Sequence, residues 1–297
     1  MTITVFPVTR HFAAEVGDVD LAADLSTDDL AAIKEAFATY AVLVFPDQQL
    51  LPQQHLDFAS RFGPLETTIR VFRTEQSLRI REEFADVSNL DADNQPWAKD
   101  SRQRMFQMGN RLWHTDSSFK RLPARASLLY ARSVPPVGGR TEFADCRAAY
   151  DALTDDIKCR LTAMIAEHSI FTSRARLGFV DFSEEERREL PPVPQALVRT
   201  IAESGRKTLY LASHAGRILG MPPEAGRTLI DALIAHATAP HFVYTHRWRV
   251  NDLVMWDDRC TMHRGTPFDD LRWKRDVQRA TVSDIANSCI QEGIAAA

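Results

Sequence analysis

The sequence predicts a mainly β fold, an antiparallel sandwich or jelly roll with helices packed outside it. Three observations carry this prediction. At the C-terminal end strand follows strand: "HFVYTHRWRV", "DLVMWD" and "RATVSD" are short, rich in Val, Tyr and Trp, and separated by turn signals such as Asn251-Asp252. No helix intervenes between them, so the alternating pattern of a doubly wound sheet fits poorly. Helical periodicity is confined to a few segments elsewhere, which can cover a sheet from outside.

Taken in order, "STDDLAAIKEAFATY" opens on Ser26 or Thr27 as N-cap, carries acidic residues in its first turn and spaces Leu30, Ile33, Phe37 and Tyr40 along one helical face. "AVLVF", Ala41–Phe45, reads as a buried strand. A second helix starts near Pro52 and stops at Gly63. Further helices are expected at Thr154–Glu167 and Pro222–Thr238. Residues 64–110 and 169–194 are polar and weakly periodic, and long irregular segments of this kind often serve as active-site lids. With no internal repeat and no Gly/Ser linker, the whole chain, 1–297, is expected to form one domain.

Composition narrows the function classes. Lys+Arg (36) nearly balance Asp+Glu (40), and the formal charge of −4 offers no global reason to bind nucleic acid or an anionic membrane. The longest apolar runs, such as "YAVLVF", are too short to span a bilayer, and "MTITVFPVTR" lacks the features of a signal peptide. Cys146, Cys159, Cys260 and Cys289 form no CxxC pair, so reduced thiols and a cytoplasmic location are expected. There is no GxGxxG, GxxxxGK[ST], HExxH or GxSxG motif. Ser213 and His214 are adjacent in "LASHAG", and neighbours on an extended chain point to opposite faces, so they are not a catalytic pair.

The informative segment is "NRLWHTDSSF". His114 and Asp116 are two apart, which on an extended chain aims both side chains the same way. Imidazole plus carboxylate is an N/O donor set, unlike the thiolates of a structural zinc site. Two histidines and a carboxylate on one octahedral face describe the facial triad of non-haem Fe(II) oxygenases. His263 in "WDDRCTMHRGTPFD", between an apolar strand and a Gly/Pro turn, is the best-placed second histidine. His214 and His246 are rivals on composition, and His246 reads as a strand residue held by packing. In "RWKRDVQRATVSD", Arg275 and Arg279 are four apart and share a strand face. Two inward guanidiniums would need anions, whereas a solvated surface pair is the competing reading.

"WHTDSSF", "GGRTEFADCRAAYDAL", "DLVMWDDRCTMHRGTPFD" and "RDVQRATV", in that order, resemble the taurine/2,4-dichlorophenoxyacetate dioxygenase family over Phe12 to Asp284. "VLVFPDQ", "FGPLE", "SGRK" and "HATAPHFVYTHRW" lean toward the 2,4-dichlorophenoxyacetate branch. The resemblance implies a double-stranded β-helix and dependence on Fe(II), 2-oxoglutarate and O2. It implies His114, Asp116 and His263 as iron ligands, and Thr141 and Arg275 as partners of 2-oxoglutarate, with Arg272 as the fallback because one extra residue separates His263 from the arginine pair. It also implies Arg279, Ser117 and Asn110 on the substrate side. Thr68 stands near the point where the taurine branch carries a histidine, which argues against a sulfonate substrate.

The activity so implied is hydroxylation of a small anionic carboxylate with release of succinate and CO2. Aryloxyalkanoates are the first class to test; a sulfonate or another natural carboxylate is the alternative within the same chemistry. From a different class, a non-catalytic jelly-roll protein that binds metal or a small acid is the competing reading, and it would have no need of all five residues of the triad and the 2-oxoglutarate anchors. The chain is expected to act as a homo-oligomer, with no nucleic-acid or membrane partner.

Overall fold

In a computed structural model, which describes residues 3–67 and 79–295, a seven-stranded sheet forms the main layer. Its strands lie in the order Thr4–Pro7, Ala13–Gly17, Val42–Phe45, Leu253–Asp257, Ala124–Ser133, Asp276–Ser283 and Phe84–Asp86. Every pairing in it is antiparallel except that of Ala13–Gly17 with Val42–Phe45. A smaller sheet places Thr141–Asp145 between Val243–His246 and Thr261–Gly265. The two sheets make the expected jelly roll, with helices outside.

The apolar run at Ala41–Phe45 is continuous because both faces of the main sheet are covered. Leu43 and Phe45 pack outward, with Leu253 and Met255, against Ile33 and Phe37 of the Thr27–Tyr40 helix and Phe58 of the Pro52–Ser60 helix. Val42 and Val44, with Val254 and Trp256, face inward onto Phe143 of the smaller sheet. Period-two alternation thus separates a structural outer core from an inner core that surrounds the site. Ser26 caps the first helix as expected, accepting the backbone N–H of Asp29 at 3.0 Å.

Four expectations need correction. The helix expected over Thr154–Glu167 ends at Leu161, and Ile165–His168 is instead a strand pairing with Val193–Ala196 and Ala215–Ile218. Ala163 turns the chain between them with φ +65, where no glycine or proline in the sequence marks the stop. Within "HFVYTHRWRV" only Val243–His246 is strand, because Pro240 sets a short 3₁₀ turn through Phe242. His246 is held less by packing than by polarity, with Nε2 3.0 Å from Asp252 Oδ2. The two segments read as irregular contain short helices, Arg102–Gln107 in one and Ile170–Ala175 and Glu184–Glu189 in the other.

All four cysteines are free thiols, three of them buried. Among the described residues no helix is long and apolar enough to cross a membrane.

Two core histidines make stability fall in acid. Burial lowers the pKa of His55 to about 4, against an opposing contribution from the Leu128 carbonyl, and that of His168 to about 3, both from an ordinary 6.5. The unfolded chain binds these protons below pH 6.5 and the folded chain does not, so their full contribution is present above 6.5 and declines as pH falls. The expected slope is about 1.4 kcal/mol per pH unit for each histidine. Urea unfolding of the metal-free protein checks this: the midpoint drops between pH 6.5 and 5, and His168→Gln flattens the decline. A midpoint constant over that range would contradict it.

Candidate metal centre and the cavities beside it

His114 and His263 come from segments far apart in sequence and meet through an isolated antiparallel bridge. The His114 N–H donates to the His263 carbonyl at 3.0 Å, and the His263 N–H donates back at 2.8 Å. The rings end with centroids 4.2 Å apart. Asp116 lies two residues beyond the bridge, and Ser117, at φ +51, turns the chain immediately after it. His114 Nε2 lies 3.8 Å from Asp116 Oδ1 and His263 Nε2 3.7 Å from Asp116 Oδ2. One candidate ligand atom from each of the three side chains lies within 4.8 Å of the others, and all three are buried.

The surroundings fix this donor set. The Leu112 carbonyl, 2.7 Å from His114 Nδ1, takes that nitrogen's proton and leaves Nε2 as the lone-pair donor. His263 Nδ1 is buried with no hydrogen-bond partner. Ser127 donates to Asp116 Oδ2 at 2.8 Å, Arg279 donates to Oδ1, and the Asp116 backbone N–H donates to Asp258 Oδ1 at 3.1 Å. Burial would raise the Asp116 pKa, but the charge of Arg279 above all holds it down at about 2. Burial, and then the Asp116 charge, push Asp258 well above the usual carboxylate range. Burial keeps both imidazoles neutral, that of His263 the more strongly. One full carboxylate and two neutral imidazoles are a ready ligand set for a divalent ion.

Two cavities meet at His114, Asn110 and Arg279. The smaller, about 100 Å³, is lined by Thr141, His263, Trp256 and Arg275. Trp248 Nε1 donates to the Thr141 hydroxyl at 2.9 Å. Arg275 is 8% exposed, its Nε has no partner, and its one side-chain hydrogen bond runs to the Val87 carbonyl at 3.3 Å. Burial alone lowers its pKa to about 10. Arg272, the fallback, lies instead along an outer groove, stacked 4.8 Å over Trp273.

The larger cavity, about 210 Å³, carries Phe106, Phe119, Ile170 and Trp97 together with Asp116 and Arg279. Its walls come largely from the two segments read as irregular. Asn110 donates to Gln107 Oε1 at 2.6 Å. Ser117 lines the same cavity, but its hydroxyl donates to Glu66 Oε2 at 2.8 Å, an acid also paired with Lys120. Thr68 falls outside the described residues.

Sequence reasoning weighed His214 only as a rival ligand and missed several other residues here. His214 is a wall of the larger cavity, its ring 6.0 Å from that of His114. Ser127, Asp258 and Arg174 also carry no sequence signal, because their importance lies only in what the fold places beside them. Ser127→Ala is expected to lower metal affinity about 10- to 100-fold, the usual effect of removing such an orienting bond. Chelator competition with Mn(II) measures this, and an unchanged affinity would contradict it.

A jelly roll carrying two histidines and a carboxylate on one face, with open space on either side, defines a mononuclear non-haem metal enzyme. The family model described as "Taurine catabolism dioxygenase TauD, TfdA family" matches residues 4–281, and the chain belongs to this family of dioxygenases. It is 44% identical over 286 residues to the alpha-ketoglutarate-dependent 2,4-dichlorophenoxyacetate dioxygenase of Cupriavidus pinatubonensis, covering 96% of this chain and 99% of that protein. The (S)-phenoxypropionate/alpha-ketoglutarate-dioxygenase of Sphingobium herbicidovorans is 36% identical over 89% of each chain. The crystal structure of AAD-2 in complex with Mn(II) and N-oxalylglycine superposes with a TM-score of 0.89, at 45% identity, over 97% of this chain and 99% of that one. The resemblance drawn from the motifs, including its lean toward the 2,4-dichlorophenoxyacetate branch, is borne out.

Proposed function

We propose that this protein is an Fe(II)- and 2-oxoglutarate-dependent dioxygenase acting on a small anionic carboxylate, with aryloxyalkanoates as its substrate class. The observation that carries this reading is the pair of cavities meeting at the His114–Asp116–His263 cluster, the smaller ending on the guanidinium of Arg275, which has no carboxylate partner among the described residues. The names of the relatives, dioxygenases of dichlorophenoxyacetate and phenoxypropionate, support the substrate class.

Iron and 2-oxoglutarate, when bound, supply activation of O2 coupled to loss of CO2, placing one oxygen atom on the substrate and one in succinate. His114, Asp116 and His263 hold the metal. Arg275 offers a buried charge for the distal carboxylate of 2-oxoglutarate, and the Thr141 hydroxyl is free to donate because it already accepts from Trp248. Phe106, Phe119 and Ile170 offer an apolar wall for an aryl ring, while Asn110, Ser117 and Arg279 stand on the metal side of the same cavity. Holding the target C–H at one position relative to the metal is the main service such walls perform. Hydroxylation beside the ether oxygen yields a hemiacetal that collapses to a phenol and an oxo acid. The described parts of the segments 64–110 and 169–194, which supply much of that wall, form the lid of the single domain. With its free thiols, the enzyme works in the cytoplasm, as a homo-oligomer.

The test is oxygen uptake with Fe(II), 2-oxoglutarate and ascorbate, in parallel with an aryloxyacetate, with taurine and with no prime substrate. Aryloxyacetate-stimulated uptake, with equimolar succinate and phenol, is the expected result. Stimulation by taurine alone would replace the substrate class, and absence of any uptake in metal-loaded protein would favour a binding module.

A further inference from the structure

An outer groove of about 700 Å³ runs along the far side of the wall that closes the smaller cavity. It carries Arg140, Arg247, Arg272 and Lys274 and no acidic side chain, and none of the four is paired with a carboxylate among the described residues. Three of these exposed cations each precede a buried residue of the wall: Arg140 before Thr141, Arg247 before Trp248 and Lys274 before Arg275. Neighbours on an extended chain point to opposite faces, so the side of the wall that meets 2-oxoglutarate is backed by a charged outer side. Trp248 is the partition itself: it lines the groove, its Nε1 holds the Thr141 hydroxyl, and its ring centroid is 6.0 Å from the Arg275 guanidinium carbon.

Groove and cavity adjoin at Gly139, which lines both. Gly138, at φ +76, and Gly139, at φ +63, turn the chain there, and a Cβ on Gly138 would stand 2.5 Å from the Pro267 carbonyl. The turn therefore seats directly on Pro267 and Phe268 at the edge of the smaller cavity. Phe268, Thr266 and Arg111 are half-buried and line the cavity at this edge, so it reaches the surface without passing the metal cluster. Among the described residues Asp270 is the one acidic side chain on its lining, and Arg104 and Arg111 each hold it at 3.0 Å, which leaves the mouth net positive.

We propose that 2-oxoglutarate has an entrance of its own: it reaches the smaller cavity past the Gly138–Gly139 turn, drawn by the cations of the outer groove, and not through the larger cavity. This rests on the placing of 2-oxoglutarate beside Arg275 proposed above. 2-Oxoglutarate is a dianion at neutral pH and an aryloxyacetate a monoanion, so a given positive potential enriches the first by the square of the factor it gives the second. The cations of the groove lie outside the cavity, so their field speeds arrival and leaves the bound state untouched. Such a field acts over about 8–10 Å at ordinary ionic strength, and added salt removes it.

Stopped-flow binding of N-oxalylglycine, a dianionic probe, to the Mn(II)-loaded protein tests this, read by tryptophan fluorescence. In the wild type the association rate falls steeply as salt rises. Arg140→Gln, Arg247→Gln, Arg272→Gln and Lys274→Gln combined lower it about 10-fold at low salt and flatten the salt dependence, while the dissociation rate stays within about twofold. Should the combined variant fail to fold, the four single substitutions carry the test, each slowing association about twofold. Association of phenoxyacetate with the N-oxalylglycine-loaded protein is unchanged in all of them. An unaltered N-oxalylglycine association rate, or a loss that appears in dissociation instead, would overturn the proposal. Phenoxyacetate slowed about threefold, the square root of the dianion's factor, would mark one shared entrance and overturn it equally. Undiminished N-oxalylglycine affinity in Arg275→Met would strike the placing of 2-oxoglutarate on which the entrance depends. Absence of phenoxyacetate binding bears on the substrate class alone, because the N-oxalylglycine rates stand without it.

Discussion

Asp116→Ala is expected to abolish turnover, lowering it at least about 10³-fold, a loss on the scale of removing a central electrostatic group from an active site. The carboxylate is the one anionic side chain in the cluster that could hold a metal ion, and two donors, Ser127 and Arg279, orient its two oxygens. Without it two neutral imidazoles remain, too few to hold a divalent ion against water. Asp116→Asn separates shape from charge: the amide keeps the outline but turns one atom into a donor and removes the negative charge. Both variants are expected to lose bound metal, measured by elemental analysis after dialysis, along with succinate formation. Retention of a tenth of wild-type turnover by Asp116→Ala would displace Asp116 from the centre. Unchanged acid binding in that variant, in a wild type without turnover, would mark a binding module.

Arg275→Met is expected to raise the KM for 2-oxoglutarate about 100-fold, as loss of a buried charge-assisted contact of roughly 2–3 kcal/mol would do, while Arg272→Gln stays within about twofold. Arg275 points into the smaller cavity beside Thr141, and Arg272 lies outside it. The same substitution carries a second expectation of opposite sign. Burial lowers the Arg275 pKa to about 10, so the folded state binds this proton less well than the unfolded chain, and the charged side chain costs stability at neutral pH. The cofactor-free Arg275→Met protein is therefore expected to be more stable than the wild type, by about 1–3 kcal/mol. Urea unfolding without 2-oxoglutarate reads the gain. A cofactor-free variant less stable than the wild type would show that Arg275 is held for structure rather than for an anion. Activity is thus obtained at a local cost in stability, the trade-off expected where a site is built before its ligand arrives.

Two buried guanidiniums, Arg174 and Arg275, have no carboxylate partner among the described residues and donate to neutral oxygens instead. Arg147 and Arg259 sit in the same protein with two-point pairing to a neighbouring aspartate, so a counter-ion was available to the fold wherever structure called for one. At Arg174 and Arg275, each lining a cavity, no such pairing is present among the described residues.

The jelly roll and its cover were legible because they rest on local periodicity. The alternation of Leu253, Val254, Met255 and Trp256, and the face of Ile33 and Phe37, repeat within a few residues and need nothing distant to be read. His114, Asp116 and His263 were legible as motif fragments, since two of them share a short extended stretch. Tertiary structure alone decided what lies opposite each fragment. The reciprocal backbone bridge joins His114 to His263, the sheet register sets Ser127 beneath Asp116, and Ala163 turns a chain whose local sequence continues a helix. Above all, a charge without a partner is defined by what is absent around it. Arg174 looks like any arginine in a polar segment, and only the folded chain leaves it buried beside a cavity with no carboxylate in reach among the described residues.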